Sequence, residues 1–295
     1  MSPIKLKIHF KIMVEEKVTK KNYTYEEVLN NSLSYFNGDE LAATTWINKY
    51  ALKKSDGTYM ELTPDDMHHR MAKEFGRVEA KYNKIETPVE GLSVYGKKRK
   101  KTTEKFIYDL FKDFKYVIPQ GSVMFGLGNH EIIASLSNCV VIPPVYDSYG
   151  GIFYTDQQMA QLFKRRCGVG VDLSELRPKD AKVSNAAGST TGAVSFMNRF
   201  SATTREVAQN GRRGALMLTM DIAHPDIEEF ITIKQDLTKV TGANISVRLS
   251  DEFMKAVEDN DTFTLRLPIE SKDPKYTKEV DAQQLWRPII KSAHN

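Results

Sequence analysis

Residues 137–214 decide the fold and contain the chemistry of this 295-residue chain, in three pieces: Ser137-Asn138-Cys139, Arg166-Cys167-Gly168-Val169-Gly170-Val171-Asp172 and Gln209-Asn210-Gly211-Arg212-Arg213-Gly214. This stretch holds both cysteines and the densest glycine usage of the chain. We interpret the pieces as a thiol, a loop that lets backbone approach a ligand closely, and an arginine loop. All three are expected to face one anionic ligand.

Short apolar runs and helical patterns alternate around this stretch, from Tyr116 onward. Helices are predicted at residues 155–166, 192–209, 225–233 and 251–258, and His224-Pro225-Asp226 is expected to cap the third. A short buried strand is predicted at Cys139–Ile142, and further strands are predicted at Gly168–Leu173, Ala215–Met220, Asn244–Leu249 and Phe263–Leu267. Such alternation predicts an α/β fold with a largely parallel sheet or barrel.

The residues before Tyr116 follow a different pattern. Helices are predicted at residues 25–36, 39–52 and 104–114, and a further helix begins at Thr63-Pro64-Asp65-Asp66. Apolar residues alternate with lysine and histidine at residues 4–12, which predicts a half-buried strand. We therefore divide the chain into an N-terminal strand extension (1–24), a mostly helical domain (25–115) and an α/β domain (116–295).

The composition is that of a soluble globular protein, with 41% hydrophobic and 27% charged residues. A net charge of +4 permits anionic ligands but does not indicate a nucleic-acid-binding surface. The sequence contains no long uncharged apolar run, so we predict no membrane span. The N-terminus lacks the apolar core of a signal peptide. Two cysteines do not make a disulfide scaffold, so we predict a reducing, cytoplasmic setting.

Common templates for nucleotide and metal sites do not match. Gly126-Leu127-Gly128 and Gly168-Val169-Gly170 lack the third glycine of the dinucleotide fingerprint, and no Gly-Lys-Ser/Thr closes a phosphate loop. His130-Glu131 has no second histidine one helical turn later, and the two cysteines are far apart without a histidine pattern. We therefore predict no metal site.

Each of the three pieces also has a plain structural interpretation. Gly168 and Gly170 suit either close approach of a ligand or tight packing of a strand against a helix. Cys139 is either a small buried hydrophobe or a redox thiol whose thiolate is stabilised by nearby cations. The arginine pair forms either a solvated turn or a mobile donor fork for phosphate, and Arg177 ends an apolar element where a phosphate contact fits.

Together the motifs resemble the large, catalytic subunit of ribonucleotide reductase, from about Leu29 to the end of the chain. The residues that carry this resemblance are Ser137-Asn138-Cys139, Cys167-Gly168-Val169-Gly170-Val171-Asp172-Leu173-Ser174 with Leu176-Arg177-Pro178, Arg205-Glu206-Val207-Ala208-Gln209-Asn210-Gly211-Arg212-Arg213-Gly214-Ala215, His224-Pro225-Asp226-Ile227-Glu228-Glu229-Phe230 and Thr241-Gly242-Ala243-Asn244-Ile245-Ser246-Val247.

The resemblance implies a helical N-terminal domain followed by the first half of a ten-stranded α/β barrel. In that family a thiyl radical abstracts the 3′-hydrogen of the ribose, and a cysteine pair delivers the electrons that reduce the 2′-hydroxyl. Cys139 matches the first cysteine of the pair. Ser122 and Asn138 match positions that contact the diphosphate and ribose of the substrate, and Gly168 matches a backbone contact to the substrate.

The resemblance also implies an allosteric specificity site at the interface of a homodimer, with deoxynucleoside triphosphates or ATP as effectors. Asp147 and Ser148 match contacts to the ribose and base of the effector, and Arg177 matches its phosphate contact. Lys179–Gly188 would be the first effector loop. A second loop, which passes the identity of the effector to the substrate base, would contain Gln209 and Arg213.

The sequence departs from the family pattern where it ends, at Trp286–Asn295. In the family this helix continues into a second half-barrel that carries the radical cysteine, the second redox cysteine and a diphosphate-binding loop. We therefore expect the N-terminal piece of a split enzyme, without turnover until a complementary C-terminal half completes the barrel. Cys167 stands where the family often has a small residue, and it is either inert or able to bridge to Cys139.

The resemblance leaves the radical generator open between a metal-bearing small subunit and adenosylcobalamin. It also leaves the substrate open between nucleoside diphosphates and triphosphates, of which diphosphates are commoner in the family. Thioredoxin or glutaredoxin is the implied reductant. The alternative function is a stand-alone deoxynucleotide-binding module without catalysis, and an inactive fragment is the third possibility.

Overall fold

A computed structural model describes residues 22–82, 90–98, 102–207 and 214–294. The predicted strand at residues 4–12 and the loop residues Gln209 and Arg213 lie outside the described residues. The chain forms two compact units, one ending at Tyr116 and the other beginning at Val117. The division into three domains made from the sequence stays a prediction.

The N-terminal unit is mostly helical in its described residues. The Thr24 hydroxyl accepts a hydrogen bond from the Glu27 amide (3.3 Å), and the Thr24 amide donates to the Glu27 carboxylate (2.7 Å), which starts the first helix with a capping box. The bounds of the helices are α1 Tyr25–Tyr35, α2 Glu40–Lys49, α3 Pro64–Tyr82, α4 Val94–Lys98 and α5 Glu104–Phe111. Among them α1 packs against α2 and α3 packs against α5.

A buried histidine lies in the core of this helical unit. His68 on α3 is 0% exposed, and its ring meets the Phe114 ring edge-on with 4.6 Å between the ring centroids. Within the described residues neither ring nitrogen has a hydrogen-bond partner. Burial lowers the pKa of His68 to about 4, because an imidazolium could not be solvated there.

The second unit is built on a parallel sheet. Four strands pair in the order β1-β2-β3-β4, and every pairing is parallel: β1 Cys139–Val141, β2 Gly168–Asp172, β3 Leu216–Asp221 and β4 Asn244–Arg248. An antiparallel hairpin follows, made of β5 Thr262–Leu267 and β6 Tyr276–Asp281. The helices are α6 Gly121–Gly126, α7 Tyr149–Phe163, α8 Met197–Glu206, α9 Ile227–Thr232, α10 Asp251–Asp259 and α11 Ala282–His294.

The two faces of the parallel sheet differ in burial. Val169, Leu216 and Leu218 point into the hydrophobic core, which also contains side chains of α7 and α8. Side chains alternate along each strand, so the residues between these point to the opposite face of the sheet. On that face Val141 is 85% exposed and Cys139 is also exposed. The prediction of a buried strand at Cys139–Ile142 is therefore wrong for this face, because the described helices pack against the other one.

The fold class predicted from the sequence, α/β with a helical region before the sheet, is confirmed by this architecture. Helix α7 nevertheless begins six residues before the predicted start, at Tyr149, because the Ser148 side chain accepts a hydrogen bond from the Gly151 amide (3.0 Å). A side chain at Gly151 would collide with the Tyr146 carbonyl, so this glycine belongs inside the helix.

The predicted cap of α9 is also wrong. Asp226 stands at the N-cap position but makes no side-chain hydrogen bond to the helix, because its carboxylate binds backbone amides of a distant segment. In the described parts of the chain no helix combines the length and apolar character needed to cross a membrane.

The first prediction concerns the buried imidazole of His68. Folding lowers its pKa, so the unfolded state binds the proton first as pH falls, and stability is lost between about pH 6.5 and pH 4. We expect this side chain to remove about 2 kcal/mol of unfolding free energy between pH 7 and pH 5. A His68→Leu variant should lack that loss.

Urea unfolding followed by Trp46 fluorescence, in a Trp286→Phe background, would measure this difference in the helical unit. The matched control is His69→Leu, because His69 is exposed and adjacent to His68. An equal pH dependence in the His68 and His69 variants would contradict the assignment.

Candidate functional site

The amino-terminal end of the parallel sheet places the Cys139 thiol beside bare backbone. Cys139 is the register partner of Gly168, and the Gly168 amide donates to the Asn138 carbonyl at 2.6 Å. A Cβ atom on Gly168 would lie 3.2 Å from the Cys139 sulfur and 3.3 Å from the Ala215 Cβ. Such contacts are tighter than usual, so glycine keeps the space beside the thiol open.

Two further predicted residues lie at the same end of the sheet. The Ser122 amide, at the start of α6, donates to the Asn138 side-chain oxygen at 2.6 Å. The Ser122 hydroxyl donates to the Arg166 carbonyl at 3.4 Å, and Ser122 is buried. The structure thus brings Ser122, Asn138, Cys139 and Gly168 together, whereas the arginine loop that should join them falls outside the described residues.

Cys167 has a different environment from Cys139. It is buried, and its thiol donates to the Gly168 carbonyl at 3.3 Å. Cys167 lies one residue before β2, directly next to Gly168, the register partner of Cys139. Burial raises the pKa of the Cys167 thiol, which reduces its reactivity. Both cysteines are free thiols in the structure.

The carboxyl-terminal end of the sheet holds the other predicted group. The Arg177 guanidinium forms an ion pair with Asp147, with 2.6 Å between Nε and Oδ2, and the Arg177 amide donates to Oδ1 at 3.3 Å. Ser148 follows directly and caps α7. About a third of each side chain in the ion pair is exposed, so both can still reach a ligand.

A cavity of about 590 Å³ opens beside this ion pair, a volume in the range of small-molecule sites. Its floor includes Arg248, whose guanidinium lies 2.7 Å from the Asp172 carboxylate and 2.9 Å from the Asp221 carboxylate. Burial works against the charge of Arg248, yet the two carboxylates raise the pKa of this guanidinium. The residues around the cavity include Asp147, Asp172, Glu175, Arg177, Arg248, Leu267, Lys275 and Tyr276.

Reasoning from the sequence missed the Arg248 network. Asp172, Asp221 and Arg248 are the last residues of β2, β3 and β4, so parallel pairing brings them to one edge of the sheet. The signal in the sequence that could have predicted this network is the charged residue that ends each of these three apolar strands. The network ties three neighbouring strands together beside the cavity.

The fold and site define an α/β protein that presents a thiol at one end of a parallel sheet and a ligand-sized cavity at the other. The family model described as "Ribonucleotide reductase, barrel domain" matches residues 137–295, more than half of the chain. The chain belongs to the ribonucleotide reductase barrel-domain family.

Several relatives extend this similarity. A vitamin B12-dependent ribonucleoside-diphosphate reductase of Thermoplasma acidophilum is 32% identical over 289 residues, which cover 83% of this chain and 37% of that protein. A reductase of the same name from Mycobacterium tuberculosis is 35% identical over 54% of this chain and 23% of its own length. The ribonucleoside-diphosphate reductase large chain of Neurospora crassa is 25% identical over 68% of this chain and 24% of its own. The chain spans 37% or less of these relatives.

The second prediction compares the two thiols. In the folded protein iodoacetamide should alkylate Cys139 at least about tenfold faster than Cys167, because only the first thiol is exposed. Peptide mass spectrometry over a time course gives both rates. Cys139→Ser should abolish the fast reaction and Cys167→Ser should preserve it; equal labelling of both thiols would refute the described arrangement.

Proposed function

We propose that this chain forms part of a ribonucleoside-diphosphate reductase, in which Cys139 supplies one of the two reducing thiols. The observation that carries the proposal is the exposed Cys139 sulfur beside side-chain-free Gly168, on the sheet of the matched barrel domain. The space above Gly168 would admit the ribose of the substrate. Ser122 and Asn138, joined by a hydrogen bond, would contact its diphosphate and ribose.

The reduction needs two thiols. The carbon–oxygen bond at C2′ breaks, the oxygen leaves as water and hydrogen takes its place, while two thiols lose two electrons and become a disulfide. Cys167 is buried, and burial raises the pKa of its thiol, so it does not suit the second role. We infer that the second thiol comes from a complementary C-terminal half of the barrel, and that thioredoxin or glutaredoxin then reduces the disulfide.

The radical that starts the reaction comes from adenosylcobalamin or a metal-bearing small subunit. The names of two of the relatives favour vitamin B12. A cavity lies at the amino-terminal ends of β3 and β4, but its volume of about 260 Å³ is below the range of about 300–1,000 Å³ typical of small-ligand pockets. This cavity is therefore too small for a corrinoid, and we assign no cobalamin contact to the described residues.

The Asp147–Arg177 pair would form the core of an allosteric site for deoxynucleoside triphosphates or ATP. Asp147 would accept a hydrogen bond from the ribose hydroxyl of the effector, Arg177 would bind its phosphate and Ser148 would contact its base. The partial exposure of the ion pair supports this role. We further propose a homodimer through this site, with Gln209 and Arg213 passing the identity of the effector to the substrate.

The third prediction concerns catalysis. The 295-residue chain alone should not reduce cytidine diphosphate in the presence of dithiothreitol and adenosylcobalamin. Addition of a polypeptide equivalent to the rest of a relative's large subunit should restore turnover. Formation of deoxycytidine diphosphate, measured by chromatography, checks both expectations.

Two variants sharpen this test. Cys139→Ser should abolish the restored turnover, whereas Cys167→Ser should retain it. Reduction by the chain alone, or undiminished turnover with Cys139→Ser, would contradict the proposed role. Tight binding of deoxynucleotides by a chain that gains nothing from the added polypeptide would favour the stand-alone binding module.

The fourth prediction concerns the effector site. Arg177→Ala should weaken binding of deoxynucleoside triphosphates roughly tenfold or more, because a charge-assisted phosphate contact is lost. Equilibrium dialysis with labelled dTTP and dGTP measures the dissociation constants. The matched control is Arg165→Ala, because Arg165 lies just before the amino-terminal end of β2, away from the effector site, and its guanidinium donates hydrogen bonds to Gln161. An equal loss in both variants would argue against a specific role for Arg177.

A further inference from the structure

The His224-Pro225-Asp226 motif reaches across the second unit to one distant segment. The Asp226 carboxylate accepts the Lys179 amide at 3.0 Å on Oδ1 and 3.2 Å on Oδ2, and it accepts the Ala193 amide at 2.9 Å on Oδ2. Only 9% of Asp226 is exposed. One buried carboxylate thus holds both ends of the segment 179–193.

The His224 ring fixes the residues just before that segment. It is fully buried, with Nε2 at 2.8 Å from the Leu176 carbonyl, and its Nδ1 accepts the Asp226 amide at 3.0 Å. These partners require a neutral ring with the proton on Nε2. Because Leu176 and Lys179 flank Arg177 and Pro178, the motif holds Arg177 from both sides.

Within the segment 179–193, a glycine leaves room for the Asp226 carboxylate. Gly192 has a φ of +87°, and a Cβ there would lie 2.7 Å from the Asp226 Oδ2 atom. Further along the segment from the two ends held by Asp226, the Asp180 amide donates to the Thr190 carbonyl and the Thr190 amide donates to the Ala181 carbonyl, each at 3.0 Å. The segment is therefore a closed loop whose two ends meet at one acidic group.

We propose that His224 and Asp226 are positioning residues for the specificity site. They fix Arg177 and the loop Lys179–Gly188 in the geometry that binds the effector, without touching the nucleotide themselves. Charge-assisted hydrogen bonds to buried amides are strong, and a loop that is already ordered loses less entropy when a ligand binds. The inference rests on the proposed effector role of Asp147 and Arg177.

Asp226→Asn is the sharpest test, because the side chain keeps its shape but gains a donor. In either orientation of the amide, its NH₂ group faces the amide of Lys179 or of Ala193, and two donors then oppose each other. We expect amide hydrogen exchange in peptides covering residues 179–193 to accelerate roughly tenfold or more, and the dissociation constant for dTTP or dGTP to rise by a similar factor.

The matched control is Asp156→Asn. Asp156 is another buried carboxylate of this unit, but its partners, Arg199 and Thr203, lie outside the segment. Circular dichroism would verify folding of each variant. If Asp226→Asn fails to fold, Gly192→Ala is the second variant, because its Cβ would lie 2.7 Å from the Asp226 Oδ2 atom and 2.8 Å from the Lys179 amide nitrogen. It disrupts the same contact while leaving Asp226 itself unchanged, and the same two measurements apply.

Faster exchange together with weaker effector binding, both specific to the Asp226 or Gly192 variant, would support the inference. Unchanged exchange, or faster exchange with unchanged binding, would overturn it while the effector site stands. If the unaltered chain and its complemented form bind no deoxynucleoside triphosphate, the effector site fails, and this inference fails with it.

Discussion

Parallel pairing of β2 with β1 on one side and β3 on the other is the constraint on which both ends of this site depend. The register that sets Gly168 beside Cys139 also aligns Asp172 with Thr219 and, through β3, Asp221 with Arg248. Parallel strands place all amino ends at one edge and all carboxyl ends at the other. A slip of one residue would turn the thiol toward the helices and separate the Arg248 network.

The same sheet separates the exposed thiol of Cys139 from the cavity beside the Asp147–Arg177 ion pair. From Gly168 to Asp172 the strand rises roughly 13 Å, at about 3.3 Å per residue. At the thiol end, Gly168 leaves the backbone beside Cys139 without a side chain. At the other end, charged side chains are held in fixed positions by ion pairs. Asp226 and His224 stand after the carboxyl end of β3, so the strand that helps to position Arg248 also anchors the loop beside Arg177.

Local sequence patterns predicted much of this arrangement. The alternation of helices and strands, the start of α3 at Pro64 and the glycine-rich β2 were all legible without coordinates. The prediction of a helix cap at Asp226 was wrong, although the residue type and position were typical of one. A carboxylate at an N-cap position can bind any amide within reach, and here the amides of Lys179 and Ala193 compete successfully.

By itself the sequence determined the family, the α/β class and which residues carry a thiol, a carboxylate or a guanidinium, because these properties depend on residue identity and short-range periodicity. Only the tertiary structure decided that Cys139 is exposed while Cys167 is buried. It alone paired Arg248 with Asp172, 76 residues away, and Asp226 with Lys179, 47 residues away. Such contacts arise from strand register and chain folding, and no local pattern encodes which distant groups will meet.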